Sequence, residues 1–144
     1  MVGMGIINGR SDARVMLLQS LCEADIAAHS IMLILDRKMD TFTISGEVAR
    51  FSRIIAREIC DNYTSIDATI KRYATLRPVI ELSTIDRNVL RLAIAEITIS
   101  DDVPAAVIIN EAVEMARNFG SEESFKFVNG VLGTFYKCKQ LNME

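Results

Sequence analysis

Apolar residues in this chain recur three and four positions apart in segment after segment, the spacing of helices that bury one side. The clearest case is residues 105–119. Here Ala105, Ile108, Ile109, Ala112, Met115, Ala116 and Phe119 fall on one side and Asn110, Glu111, Glu114, Arg117 and Asn118 on the other. Pro104 suits the first turn of that helix, where its missing N–H costs nothing. Gly120 is expected to end the helix in the left-handed conformation that glycine tolerates. Ser121 is expected to accept a hydrogen bond from the next turn, with Glu122 and Glu123 favouring the positive end of the following helix. That helix carries Phe125, Val128, Leu132 and Phe135 in one row, Phe127 and Val131 beside it, and Lys126, Gly130 and Gly133 roughly opposite. A glycine row costs about 1 kcal/mol per residue against alanine, so it predicts close backbone packing around a central helix.

The same spacing runs upstream. Ser11 or Asp12 can cap a helix reaching about residue 27, with Val15, Leu18, Leu21 and Cys22 on a shared face. A short apolar helix is predicted around residues 29–37, and the polar DTFTISG stretch breaks it. Residues 45–62 place Val48, Phe51, Ile55 and Ile59 inward and Arg50, Arg53, Arg57 and Asp61 outward. Thr64 or Ser65 opens another helix through Thr75, and Pro78 prevents its continuation. Ser83 and Asp86 have capping-box spacing. The helix they open reaches Ile99 and is apolar over much of its circumference, with Val89, Leu90, Ala93, Ile94 and Ile97 as core residues. No segment shows sustained strand alternation. The expectation is an all-α fold of about seven helices.

Composition narrows the class. The chain has 144 residues, half of them hydrophobic, only two prolines and no low-complexity segment, as a single globular domain requires. Its longest apolar run, residues 31–35, is far shorter than a membrane span, and the MVGMGIINGR start does not read as a secretory signal, so a soluble cytoplasmic protein is expected. Three widely spaced cysteines, Cys22, Cys60 and Cys138, suggest neither disulfides nor zinc. A net charge of −3 argues against a whole-surface nucleic-acid binder but allows a local basic patch.

Reactive groups are sparse. His29, the one histidine, sits in AAHSIMLIL without a nearby nucleophile. The adjacent pairs Asp101–Asp102 and Glu122–Glu123 diverge rather than converge, and helix-start electrostatics accounts for them. Gly3, Gly5 and Gly9 do not form a phosphate-binding fingerprint. No metal site, cofactor site or enzymatic activity is expected. Arg10 and Arg14, four residues apart, project from one side of the first helix and can hold phosphates, or form surface ion pairs. Lys71, Arg72 and Tyr73 form a basic-aromatic trio that also reads as a solvated helix face.

The order IDRNVLRLAIAEI (residues 85–97), then DVP, then INEAVEMARNFGSEESFKFVNGVL (residues 109–132) resembles the C-terminal signature of the NusB family of transcription antitermination factors. A looser resemblance at Arg10, Ala13, Arg14, Gln19 and Leu21 is to the family's arginine-bearing first helix, while residues 27–78 match only in helical pattern. The resemblance implies one domain over residues 1–144 made of two packed helical subdomains, with N-terminal helices over about 10–62 and C-terminal helices over about 64–137.

It further implies binding of single-stranded boxA RNA jointly with NusE, a small-subunit ribosomal protein, to suppress termination in ribosomal RNA operons on an RNA polymerase elongation complex. Carried onto this sequence, the RNA-binding residues are Arg10, Arg14, Glu123, Ser124, Lys126 and Phe127, with Phe127 as a stacking platform or a core aromatic. The partner-binding residues are Glu81, Asp86 and Cys22, with Cys22 standing where the family often has an aromatic. Asp86 alternatively serves only its helix start. Ser11 and Asp12 occupy places where the family commonly has arginines, which reduces phosphate contacts. Two alternatives stand beside this reading. One is the NusB-like RNA-binding portion of a ribosomal RNA cytosine methyltransferase, against which no cofactor-binding domain follows Thr134. The other is a protein-binding helical module with weakened RNA affinity.

Overall fold

The computed structural model describes residues 6–27 and 29–141. Seven α-helices dominate these described residues: α1 Arg10–Ala27, α2 Ile31–Thr41, α3 Gly46–Asp61, α4 Tyr63–Tyr73, α5 Thr84–Ile99, α6 Ala105–Phe119 and α7 Ser124–Gln140. The chain divides into two compact units, Met1–Asp61 and Asn62–Glu144, so the boundary falls between α3 and α4.

In the first unit α1, α2 and α3 pack on one another. The buried side of α1 is Ala13, Arg14, Met16, Leu17, Leu18, Ser20 and Leu21, while Val15 and Cys22, expected inward, are only half-buried. Helix α1 starts earlier than Ser11. Gly9, at φ 113°, makes the turn into it, and Asp12 Oδ2 accepts a hydrogen bond from the Asn8 N–H at 3.1 Å. Asp12 therefore serves the chain entering the helix from inside its first turn. Helix α3 follows its predicted pattern, with Val48, Phe51, Ile55 and Ile59 buried and Arg50, Arg53 and Arg57 exposed. Its cap is Ser45, whose hydroxyl accepts from the Val48 N–H at 3.2 Å. One feature has no counterpart in the periodicity: β1 (Ile6–Ile7) pairs in parallel with β2 (Thr43–Ile44), a two-residue ladder too short to show alternation.

The second unit is built on α5, where every residue from Asn88 to Ile97 is buried. Helix α6 packs on α5 and α7, and α4 packs on α5 and α7. Ser83 caps α5, its hydroxyl accepting from the Asp86 N–H at 3.1 Å. Burying a whole helix circumference also takes in polar side chains. Arg91, 5% exposed, donates from Nε and Nη2 to the two carboxylate oxygens of Asp67 on α4 at 2.8 and 2.9 Å, and from Nη1 to Asn88 at 3.0 Å. The Tyr63 ring lies 4.5 Å from the same guanidinium. This planar fork anchors α4 to α5 with its donors in use.

Two expectations about glycine are corrected. Gly120 does not take the left-handed conformation: φ −99° and ψ −166° are extended backbone. Close packing is what requires glycine there. A Cβ at that position would overlap the Ser124 hydroxyl and lie 2.6 Å from Ser124 Cβ and 2.7 Å from the Ala116 carbonyl oxygen. Gly130 and Gly133 are exposed, and a Cβ on either would meet nothing within 4 Å, so they form no backbone contact row. The α6–α7 turn closes around Ser124, which is 1% exposed, its hydroxyl accepting from the Ser121 N–H at 2.9 Å. Ser121 accepts from the Ser124 N–H at 3.1 Å, but through its carbonyl and not its hydroxyl, while the Ser124 hydroxyl takes the Ser121 N–H in return.

Replacing Gly120 with alanine is expected to destabilise the protein by about 1–3 kcal/mol, the usual cost of forcing atoms into a packed site. Urea unfolding measures this, and alanine at the open Gly133 should instead be neutral or stabilising.

Candidate nucleic-acid interface

Phe127 and Lys126 leave the first turn of α7 toward two clefts in the second unit. The first, about 370 Å³, is lined by Tyr73, Leu76, Arg77 and Leu82 with Lys126, Phe127 and Gly130. The second, about 490 Å³, is lined by Arg77, Ser83, Asp86, Ser121 and Glu123 with Lys126 and Phe127. Arg77, Lys126 and Phe127 are thus common to both. Phe127 is half-buried and both cations are exposed, so an aromatic ring accessible from the clefts stands among positive charges. A flat apolar face with cations nearby is the chemistry that receives an unstacked base and its phosphates.

The loop that presents Arg77 is tied down. Arg87 Nη1 donates to the Leu82 carbonyl at 2.8 Å and to Ile80 at 3.3 Å, fixing the short 3-10 turn Val79–Glu81 against the start of α5. Tyr73 packs edge-on against Phe135, ring centroids 5.9 Å apart, and Arg72 lies 5.5 Å from the Tyr73 ring. The basic-aromatic trio is therefore part internal: Lys71 and Arg72 are exposed and Tyr73 is half-buried at the cleft.

Each implied RNA-binding residue has a definite environment. In the first unit Arg10 is half-buried, donates from Nη2 to Glu47 Oε1 at 2.8 Å, and holds its guanidinium 4.6 Å from the Phe51 ring. Arg14 sits 5.3 Å from the same ring and is 5% exposed. The two arginines do share a side of α1, stacked on one aromatic, but only Arg10 reaches solvent appreciably. In the second unit Glu123, Lys126 and Phe127 come together at the larger cleft. Ser124 is enclosed in the turn beneath them and its hydroxyl is used there. Neighbouring Phe125 is half-buried and covered by Arg117 at 4.1 Å.

Of the implied partner-binding residues, Cys22 belongs to the first unit and Glu81 and Asp86 to the second. Glu81 is exposed in the 3-10 turn, and Cys22 is half-buried on α1. Asp86 is 8% exposed and lines the cleft with Lys126 and Phe127, its Oδ1 buried without a hydrogen-bond partner. Sequence reasoning missed Arg77, Ser83 and Ser121 as cleft residues. An arginine before proline in an otherwise apolar loop was the only available signal for the first, and the serines read only as helix caps.

Cys60 is on the exposed side of α3, and partial burial of its thiol, opposed by Arg57, pushes its pKa above the ordinary value, the reverse of an activated nucleophile. Among the described residues no cluster of His, Cys, Asp or Glu can hold a metal ion, and no helix is long and apolar enough to cross a membrane.

A sequence model of the NusB family matches residues 11–137, nearly the whole chain. The chain belongs to the NusB family. It is 43% identical over 129 residues to the transcription antitermination protein NusB of Dehalococcoides mccartyi strain 195, covering 90% of each chain. To the NusB protein of Chloroflexus aggregans it is 38% identical over 127 residues, covering 87% of this chain and 85% of that one. The fold is similar to a solved NusB structure from T. maritima, with a TM-score of 0.86, 34% identity, and coverage of 90% of this chain and 92% of that one. It also matches the fold of a chain in a crystal structure of antitermination factors NusB and NusE in complex with dsRNA, with a TM-score of 0.79 at 21% identity, covering 90% and 96% of the two chains. These NusB relatives are transcription antitermination proteins.

The different burial of the two arginines has a measurable consequence. Arg14→Ala removes packing as well as charge and is expected to lower stability by about 1–3 kcal/mol. Arg10→Ala loses a partly exposed ion pair and should cost less than about 1 kcal/mol. Thermal unfolding of both variants checks the contrast.

Proposed function

We propose that this protein binds single-stranded boxA-type RNA together with the small-subunit ribosomal protein NusE, and that the pair joins an RNA polymerase elongation complex to suppress termination in ribosomal RNA operons. The observation that carries this reading is the half-buried Phe127 ring with Lys126 and Arg77 at the mouths of two clefts. A fold shared with a NusB protein solved in complex with NusE and dsRNA supports it.

The RNA-binding role falls on Arg10, Lys126 and Phe127, with Glu123 at the cleft rim. Arg14 supports Arg10 by flanking the same Phe51 ring, and Ser124 sets the turn that aims Lys126 and Phe127. Glu81, exposed, and Cys22, half-buried, are the residues offered to NusE. No bond is made or broken in the mechanism. Where the binding of two partners to one protein is positively coupled, each raises the other's affinity by the same factor, so NusE and RNA recruit one another. The protein works in the cytoplasm, where its RNA and ribosomal partner are.

Asp12 bears on the competing idea of a module that has lost RNA affinity. Its carboxylate accepts the Asn8 N–H through one oxygen, which ties it to the chain entering α1, while its negative charge still opposes an approaching phosphate.

Titrating labelled boxA RNA at several salt concentrations, with and without NusE, tests the reading. The expected result is a preference over scrambled RNA that strengthens with NusE. Arg10→Ala should weaken binding and reduce the salt slope by about 1 while leaving helicity unchanged. Equal affinity for scrambled RNA in both conditions would remove RNA recognition from the proposal.

A further inference from the structure

The solvent side of α3 carries cations that the proposed RNA contacts leave unused. At about 3.6 residues per turn, Arg50, Arg53 and Arg57 fall within about 60° of one another and form a crest along the exposed face. Arg50 and Arg53 are three positions apart and Arg53 and Arg57 four, the two spacings at which like charges on a helix repel. Neighbouring acids do little to relieve this. Among the described residues no carboxylate pairs with Arg50 or Arg57, and Arg53 has only a long, exposed contact with Asp36 of α2, Nε to Oδ1 at 3.6 Å. Glu47 and Glu58 lie roughly a quarter turn round the helix. Glu47 is engaged there by Arg10 at 2.8 Å, and Asp61 closes the far end of α3. A row of repelling guanidiniums stabilises nothing in the fold itself. It fits a polyanion, because each guanidinium presents a planar fork of donors that matches phosphate oxygens.

We propose that this arginine crest is a sequence-independent track for the RNA phosphates that flank the recognised element. The inference rests on the RNA-binding reading and adds to it a longer footprint and a role for Arg50, Arg53 and Arg57. Position supports it as well as charge. The crest begins beside Arg10, whose guanidinium is held by Glu47 and lies 4.6 Å from the Phe51 ring, both in the first turns of α3. RNA phosphates at Arg10 therefore continue onto Arg50 without leaving the first unit. From Arg50 to Arg57 the helix rises about 10 Å, the length of about three stacked nucleotides at about 3.4 Å each. Ile54, 51% exposed on the same side, offers apolar contact to a sugar or base but no hydrogen bond that tells one base from another. Phosphate contacts fix register and orientation and carry no sequence information of their own. The exposed Arg53–Asp36 pair is weak enough for a phosphate to displace.

The test uses the full chain with NusE present and labelled boxA RNA, either alone or extended by a few nucleotides at its 5′ or 3′ end, with affinity read by fluorescence anisotropy over a range of salt. One of the two extensions is expected to raise affinity about tenfold whatever its sequence. It should also steepen the salt slope by about 2, the sum of three single-strand phosphate contacts at about 0.7 each. The triple variant Arg50→Gln, Arg53→Gln and Arg57→Gln, which keeps good helix formers at all three positions, is expected to lose that gain. Its affinity for boxA alone and its helical circular dichroism should stay at the parent values. Three results overturn the proposal while leaving RNA recognition in place: no gain from either extension, a gain that survives the triple variant, or a gain that depends on the flanking sequence. A triple variant that binds NusE more weakly yet keeps the gain would likewise overturn it and give the crest to the protein partner. Failure of the parent protein to bind boxA would remove the RNA reading and the track together.

Discussion

The turn between α6 and α7 is the constraint on which the candidate site depends. Four residues separate the helices, and the angle between them is held by one buried hydroxyl, Ser124, accepting from Ser121 across a position where only glycine fits. Lys126 and Phe127 leave the helix immediately afterwards, so the turn decides where they point. A looser connection would keep both helices and lose the cleft, because a side chain in the first turn of a helix inherits its direction from the entering chain.

A second anchor holds the opposite wall. The start of α5 carries Asp86 and sits under the Arg77-bearing loop, which Arg87 pins through two carbonyls. One turn further on, Arg91 grips Asp67 and fixes α4 on α5. Buried ion pairs of this kind are costly to break because the remaining partner is left charged in the interior. The second unit is therefore rigid where its cleft residues attach, and preorganisation of that sort lowers the ordering cost of binding. The first unit uses the same economy differently: one ring, Phe51, flanks both Arg10 and Arg14, giving α1 and α3 a shared polar contact beside their apolar one.

Much of the helical architecture was legible because it follows from spacing and punctuation. The inward set of α3, the core character of α5 and the Ser83 cap are local consequences of residue order. The buried face of α1 was less legible. Val15 was expected inward, whereas Ala13 and Ser20 are buried, because small side chains mark close helix contacts and a hydrophobicity pattern gives them little weight. The glycines misled for a related reason. At Gly120 the sequence suggests a backbone conformation, but a neighbouring hydroxyl made the requirement. At Gly130 it suggests a tight contact, but the residue faces open space.

By itself, the sequence determined that this is an all-helical chain, where most helices start and stop, and, through its C-terminal signature, which family it belongs to. Those properties reside in periodicity, capping residues and local order, all short-range. Only the tertiary structure decided that Arg14 is covered while Arg10 is half-buried, that Ser124 is spent in a turn, and that Asp86, Arg77 and Phe127 line one cleft. Positions 77, 86 and 127 lie far apart in the chain, and packing of α4 and α7 around α5 brings them together. Burial and proximity between distant residues are set by that packing, and no spacing rule along the chain encodes them.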